Sequence, residues 1–391
     1  MKKVVFIDAG TGRGGASRSL YYLVSRLDRT VVCPVVILLN GNPMKDWFDR
    51  DGIEAEIVPE IVRFRPGERK NWLAFLLFLV SLPKFFALRK TVQRHLGETG
   101  IVHANHENLA ITAWLLSVTL RCPWVCHIRT TLVPTFSGRL VYGLIRRSAN
   151  HIVFITQRNL EHFADMAGAP EKSRVSVVHN SYVEEVQNYP PLEVPLDPDH
   201  RRFRVLTLSS ITPNRGIDRQ IEVARILKAR GCDDILFVIC GGEQHRSLSP
   251  VGGKRSYHDE VVASVDEYGL HDIVYFAGHT HPPERALKAC DILIKLGREN
   301  VPWGRDLIEA MSHGLPIVTL GTFQGFVENG VNGFIDPDFD ANRVADHIMR
   351  LRDDPSLLSA MRESNLEKAE QMFSPQVGAL AMQEIYAGLS S

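Results

Sequence analysis

The chain of 391 residues is short of several things. It holds six cysteines, too few at this length for a disulfide framework. Cys122 and Cys126 form a C-x3-C with no second pair to complete a metal knuckle. Cys33, Cys232, Cys240 and Cys290 sit in apolar runs and read as small core residues. Such usage fits a reducing cytoplasm. Neither sign of charge is in surplus, since 45 Lys and Arg meet 45 Asp and Glu. That argues against a nucleic-acid partner, which calls for a basic excess, and against an acidic disordered chain. Long apolar runs are missing as well. The longest, WLAFLLFLVSL from Trp72 to Leu82, is followed by Pro83 and Lys84 and falls short of the roughly 20 residues of a membrane span. The opening MKKVVFIDAG has an apolar core of only four before Asp8, so no signal peptide is expected there. Arg63, Arg65, Arg69, Lys70, Lys84, Arg89, Lys90 and Arg94 flank the Trp72–Leu82 run. A basic-rimmed apolar helix suits a membrane interface, and equally a buried or partner-facing position. The sequence leaves both open.

What is present is alternation. Short β-branched runs (KVVFID, CPVVILLN, PWVCHIR, HIVFIT, RVSVVHNS) are interleaved with helical patterns, as in parallel βαβ units. The stretch Glu184 to His200 carries four prolines and no amphipathic period, so it reads as a linker. A second alternation follows, with strands RVLTLSSI, ILFVICGG, IVYFAG, DILIKLG, PIVTLG and NGFID. Two α/β halves of this kind place a ligand beyond the carboxyl ends of the strands.

Just after the first strand, Gly10, Gly12 and Gly15 make a G-x-G-x-x-G. A strand, a glycine loop and a helix suit a phosphate, because helix N-terminal amides attract anions. A dinucleotide fold also wants an acid at the end of the second strand, and Leu39, Asn40 and Gly41 stand there instead. A nicotinamide-dependent oxidoreductase is therefore disfavoured. Gly14, Gly15 and Ala16, directly before the helix, would let backbone approach a diphosphate closely.

The second half carries the more specific pattern. Pro302-Trp303-Gly304, Glu309-Ala310-Met311 and Gly314-Leu315-Pro316 follow one another at fixed spacing after the ACDILIKL strand, and Arg215-Gly216 precedes a helix after an earlier strand. With GGAS at Gly14, VVHNSY at Val177 and NGFIDP at Asn332, these residues resemble the retaining glycosyltransferases of family 4. The resemblance implies an α/β protein of the GT-B fold, with two Rossmann-like domains facing across a cleft. Residues 1–190 would form the acceptor domain and 200–372 the nucleotide-sugar domain, and the C-terminal helix of 375–391 would return to the first. It implies a metal-independent, hexosyltransferase-type enzyme acting by front-face displacement. The donor would be a UDP- or GDP-linked sugar as co-substrate, with no cofactor. The acceptor would be a glycan or a lipid-linked acceptor of cell-envelope or exopolysaccharide synthesis. The protein would be cytoplasmic, with a peripheral contact on the inner face of the membrane.

The same resemblance assigns residues. Glu309 would bond the ribose hydroxyls, Arg215 would meet the diphosphate, and His127 would lie against the transferred sugar; these three are the catalytic candidates. Gly14, Gly15, Glu299, Pro302, Trp303, Gly304, Arg305 and Ile308 complete the donor site. His103 and His106, which end a strand in HANHEN, would touch acceptor or sugar. Three histidines without a carboxylate at matching local spacing do not make a metal-ligand pattern, and no metal is assigned. Asp197-Pro198-Asp199 and Asp338-Phe339-Asp340 match D-x-D on paper but read as solvated turns. Two positions depart from the pattern. Val301 stands where the family has the first Glu of a pair, and Ser210 where it has an Arg. Either Arg18, Arg298 or, preferably, Arg305 supplies the missing cation, or the donor differs, or activity is weak or lost, as in a non-catalytic relative that binds a nucleotide or a partner.

Overall fold

The structure, a computed structural model, describes residues 1–10, 15–39, 42–58, 71–182, 188–242, 256–299 and 303–389. It consists of two compact units. The first comprises Met1–Ser181 with Phe373–Ser391, and the second Tyr182–Met372.

In the first unit the strands are β1 (Lys2–Asp8), β2 (Val32–Leu39), β3 (Glu54–Val58), β4 (Ile101–Ala104), β5 (Trp124–Ile128), β6 (His151–Phe154) and β7 (Val175–Val177). They lie in the order β3-β2-β1-β4-β5-β6-β7, and every pair is parallel. The connecting helices are α1 (Gly15–Ser25), α2 (Met44–Arg50), α3 (Asn71–Leu96), α4 (Ala110–Leu120), α5 (Phe136–Ser148) and α6 (Gln157–Ala167). A parallel sheet is covered on both faces, so its strands run apolar without alternation. Here the two faces part cleanly. Val5 and Ile7 join one core with Leu88, Leu116 and Ile145, while Val4 and Phe6 join another with Leu20, Leu23 and Phe48.

The second unit has β8 (Phe203–Leu208), β9 (Ile235–Cys240), β10 (Val274–Gly278), β11 (Ile292–Lys295), β12 (Ile317–Leu320) and β13 (Gly333–Asp336). Their order is β10-β9-β8-β11-β12-β13, again all parallel. Its helices are α7 (Ile217–Ala229), α8 (Tyr257–Glu267), α9 (Glu284–Lys288), α10 (Arg305–Ser312), α11 (Ala341–Asp353) and α12 (Pro355–Phe373). The chain leaves β8 towards β9 on one side and returns with β11 on the other. The crevice between the carboxyl ends of β8 and β11 is thus the topological switch point.

The last helix, α13 (Pro375–Gly388), returns to the first unit. Ala379, Met382 and Tyr386 are buried in the core built on α1 and β1. Three elements differ from expectation. The apolar helix does not stop at Leu82 but continues through Pro83 to Leu96. Pro83 is exposed, so water can take the carbonyl that the ring leaves without a donor. Strand β3, EAEIV, pairs with β2 at the sheet edge, although its two glutamates hide it in sequence. The Pro-rich stretch is not a free linker at its far end. The Leu192 amide donates to Arg285 O at 2.7 Å, and Val194 is buried. Asp197 is likewise not solvated. Its carboxylate takes Arg204 Nε at 2.9 Å in a pair whose side chains are each 4% exposed. Asp199 is exposed, and Asp340 caps α11 through Asn342 and Arg343 amides, as turn carboxylates do. No helix among the described residues is long and apolar enough to cross a membrane.

Candidate functional site

In the second unit, β8 ends in a short turn, Pro213–Arg215, that feeds α7. Gly216 caps this turn with φ 67°, and a Cβ there would stand 2.2 Å from Leu296 O. Only glycine lets the turn press against the end of β11, which explains the Arg-Gly order. Arg215, exposed, is thereby held at the switch point. It lines a small pocket with Thr207, Ser209, Lys295, Gly297 and Asp306. The Arg298 amide donates to Asn214 O at 2.9 Å, and Asn214 Nδ2 donates to Glu299 Oε1 at 3.2 Å. Glu299 is therefore tied to the Arg215 turn.

The next loop brings Trp303 and Gly304 to the N-terminus of α10. The Trp303 ring meets Phe323 edge-on with centroids 5.8 Å apart. Lys295, the last residue of β11, donates to Trp303 O at 2.8 Å and to the Asp306 carboxylate at 2.9 Å. Gly304 has φ 145°, and a Cβ there would lie 2.5 Å from Asp306 Oδ1 and 2.9 Å from Lys295 Nζ. The loop thus packs directly on this ion pair.

Glu309 does not open the helix. Arg305 and Asp306 take the first turn, and Glu309 follows one turn in, nearly buried beside Leu307 and Ile308. Arg305 Nη2 meets Glu309 Oε1 at 2.5 Å. Burial pushes the Glu309 carboxyl above its ordinary value, against the opposing pull of Arg305. Arg305 is accordingly engaged with the carboxylate rather than free as a diphosphate cation. Arg298 is engaged too. Its guanidinium holds the Asp218 carboxylate, which also accepts the Tyr257 hydroxyl. Arg18 is partly exposed on α1. Gly14, Val301 and Pro302 lie outside the described residues.

In the first unit the polar residues at the strand ends close on one another. Gly15 is the first residue of α1. The Asp8 carboxylate accepts Ser17 Oγ at 2.6 Å, Asn105 Nδ2 at 3.0 Å and the Gly10 amide at 3.3 Å. Arg129 donates to Asn105 Oδ1 through Nη2 at 2.7 Å and to Asn180 Oδ1 at 2.7 Å, and its amide donates to Glu107 Oε2 at 3.0 Å. All of these side chains except Asn180 are buried. A carboxylate beside the start of α1 already offers the helix N-terminus an anion.

His127 sits within β5 and is 1% exposed, and neither ring nitrogen has a hydrogen-bond partner among the described residues. Burial, with Arg129 nearby, holds its pKa well below the ordinary histidine value, so the ring is neutral. His103 departs from its expected place. It is fully buried in β4, its Nδ1 bonded to Tyr386 Oη at 2.8 Å and its ring packed on Phe6 at 4.9 Å. The return of α13, which the HANHEN motif alone does not reveal, encloses it. Burial drives its pKa down to about 3. His106 is half-buried and caps a turn by accepting the Asn108 amide at 3.2 Å. Among the described residues no three His, Cys, Asp or Glu cluster as metal ligands do.

Sequence reasoning missed Lys295, Asp306, Asp8, Asn105 and Arg129. Lys295 left a trace, being a cation at the end of the otherwise apolar ILIK strand.

Residues 13–185 match the model of Glycosyltransferase Family 4, and residues 193–368 match that of Glycosyl transferases group 1. An alpha-D-kanosaminyltransferase of Streptomyces kanamyceticus is 29% identical over 163 residues, covering 41% of this chain and 39% of that protein. A poly(ribitol-phosphate) alpha-N-acetylglucosaminyltransferase of Staphylococcus aureus is 22% identical over 301 residues, covering 74% of this chain and 50% of that protein. The chain thus spans half or less of the length of these curated relatives. Anabaena HepE, solved with UDP and glucose, superposes over 100% of both chains with a TM-score of 0.75 at 20% identity. The order of the two parallel sheets agrees with these matches, and the chain belongs to the family 4-like glycosyltransferases of the GT-B fold.

Proposed function

We propose that the protein transfers a sugar from a UDP- or GDP-linked donor to a glycan or lipid-linked acceptor in envelope or exopolysaccharide synthesis, with retention and without a metal. The observation that carries this reading is the switch-point pocket, where Arg215 stands at the end of β8 and the helix carrying Glu309 starts at its wall. Arg215 would bind the diphosphate, Glu309 the ribose, and the first turn of α10 would stabilise charge growing on the leaving oxygen. For Glu309 to accept ribose hydroxyls, Arg305 swings off its carboxylate. Glu299, Pro302, Trp303, Gly304 and Ile308 would border the sugar and ribose. His127 would orient the sugar; its neutral ring with two unpartnered nitrogens favours a ligand that satisfies them.

Support for the acceptor class comes from the relative named as a poly(ribitol-phosphate) alpha-N-acetylglucosaminyltransferase. The exposed Val80 and Phe86 beside Lys84 and Lys90 on α3 favour peripheral contact with an anionic membrane, and hence a cytoplasmic face. A flotation assay on anionic liposomes at low salt tests that part, and protein left entirely in the soluble fraction contradicts it. A screen of nucleotide sugars for binding, hydrolysis and transfer tests the whole. Turnover lost in Arg215→Ala, with product of the donor's anomeric configuration and full activity in EDTA, is the expected result. A second reading, a non-catalytic nucleotide binder, draws on Arg305 already occupying Glu309 and on Ser210 lacking a charge. Binding without turnover across the panel selects it.

A further inference from the structure

The switch-point pocket holds a second cation that neither the glycine loop nor the Arg-Gly turn supplies. We propose that Lys295 is a phosphate-binding residue, held in reserve by Asp306 until a nucleoside diphosphate takes its ammonium. This rests on the donor reading given above.

Lysine is rarely placed at the end of a central strand. Ile292, Leu293 and Ile294 before it are buried, and the Lys295 side chain is 12% exposed. Such burial has to be compensated by a partner. Asp306 gives that, at 15% exposure, but it stands in the first turn of α10, and both residues line the pocket with Arg215. The ammonium has three donors. Trp303 O lies at 2.8 Å and both Asp306 oxygens at 2.9 Å, so a phosphate reaches the ammonium by taking the place of Asp306. The pocket therefore contains two cations against one carboxylate, a balance that suits an incoming dianion better than a neutral group. Among the described residues the other cations near it are committed elsewhere, Arg298 to Asp218, Arg305 to Glu309 and Arg219 to the Leu296 and Gly297 carbonyls. Lys295 is the one whose partner shares the pocket wall. A diphosphate that displaces Asp306 from Lys295 also loosens the support under Trp303, because the same ammonium holds the Trp303 carbonyl. Phosphate occupancy and the position of the Trp303 loop are coupled through this side chain.

Calorimetric titration of UDP, GDP, uridine and guanosine into wild type, Lys295→Met, Lys295→Arg, Asp306→Asn and the Met/Asn double variant tests the proposal. Wild type should prefer the diphosphates to the nucleosides. Lys295→Met should weaken diphosphate binding by about 10- to 100-fold, the range of a charge-assisted hydrogen bond, and leave nucleoside binding unchanged. Lys295→Arg should regain most of the loss. Asp306→Asn should tighten UDP or GDP by a few fold, and that gain should vanish in the double variant. Equal losses for diphosphate and nucleoside in Lys295→Met, weaker diphosphate binding in Asp306→Asn, or a gain that persists in the double variant would each reduce Lys295 to a rivet for the loop. In those cases the wild-type preference for diphosphates survives and only this inference falls. A wild type with no such preference overturns the donor reading and this inference together.

Discussion

The two units share one sheet topology and use charge at their strand ends in opposite ways. Near the ends of β1, β4 and β5 the charged groups are buried and bonded, Asp8 to Ser17 and Asn105, and Arg129 to Asn105 and Asn180, while the neutral His127 ring keeps both nitrogens unpartnered among the described residues. At β8 and β11 Arg215 is exposed, and Lys295 shares a pocket wall with its own counter-ion. A closed network rigidifies the fold, because each member left unpaired would cost its desolvation. An open one keeps donors for a ligand. The doubly wound sheet does not by itself determine where a ligand would bind. The side chains at its strand ends do.

That contrast can be broken from either side. The largest effect expected is on stability, from the closed ion pair at the start of the second unit. Arg204→Met leaves Asp197 buried without its cation and should cost about 3–5 kcal/mol in chemical denaturation, with diphosphate affinity of the remaining folded protein unchanged. On α10, whose first turn borders the open pocket, the effects should be reversed. Glu309→Gln should lower turnover of the donor sugar by about 100- to 1,000-fold, of the size seen when a transition-state contact is lost, while shifting the melting temperature little. A large thermal shift with unchanged turnover would place Glu309 among the structural residues.

The histidines of the first unit sharpen the comparison through pH. Burial keeps His103 neutral down to about pH 3 and holds His127 well below its ordinary value, whereas both protonate near pH 6.5 when unfolded. Below that pH the unfolded chain binds more protons than the folded one, so stability falls as pH falls. Between pH 6.5 and pH 5 the loss for His103 should be about 2 kcal/mol, read from denaturant midpoints, and His103→Gln should flatten the slope. The smallest effect expected is that of Tyr386→Phe. It removes the hydroxyl bonded to His103 Nδ1 and should cost about 1–2 kcal/mol in the first unit, marking α13 as part of that core.

The parts of the molecule legible in sequence were those with a local signature. Apolar runs such as KVVFID and ILFVIC became central strands because a parallel sheet buries both faces. Arg215-Gly216 and Glu309 could be singled out because a turn, a helix start and fixed spacing accompany them. What stayed hidden depends on partners far along the chain. His103 looks like a strand-end ligand until Tyr386, 283 residues later, encloses it. Asp197 looks solvated until Arg204 folds over it. Arg305 looks like a spare cation, yet its position four residues before Glu309 on α10 makes the two a pair. The edge strand β3 escaped because Glu54 and Glu56 interrupt its apolar pattern.

Calorimetric titration of UDP and GDP into the wild type and into Arg215→Ala tests most directly whether the second unit's pocket is the nucleotide site. One of the two diphosphates should bind the wild type and lose about 10- to 100-fold in affinity in the variant, as expected for removal of a charged hydrogen-bond donor. Equal affinity in both proteins, or no binding to either, would contradict it.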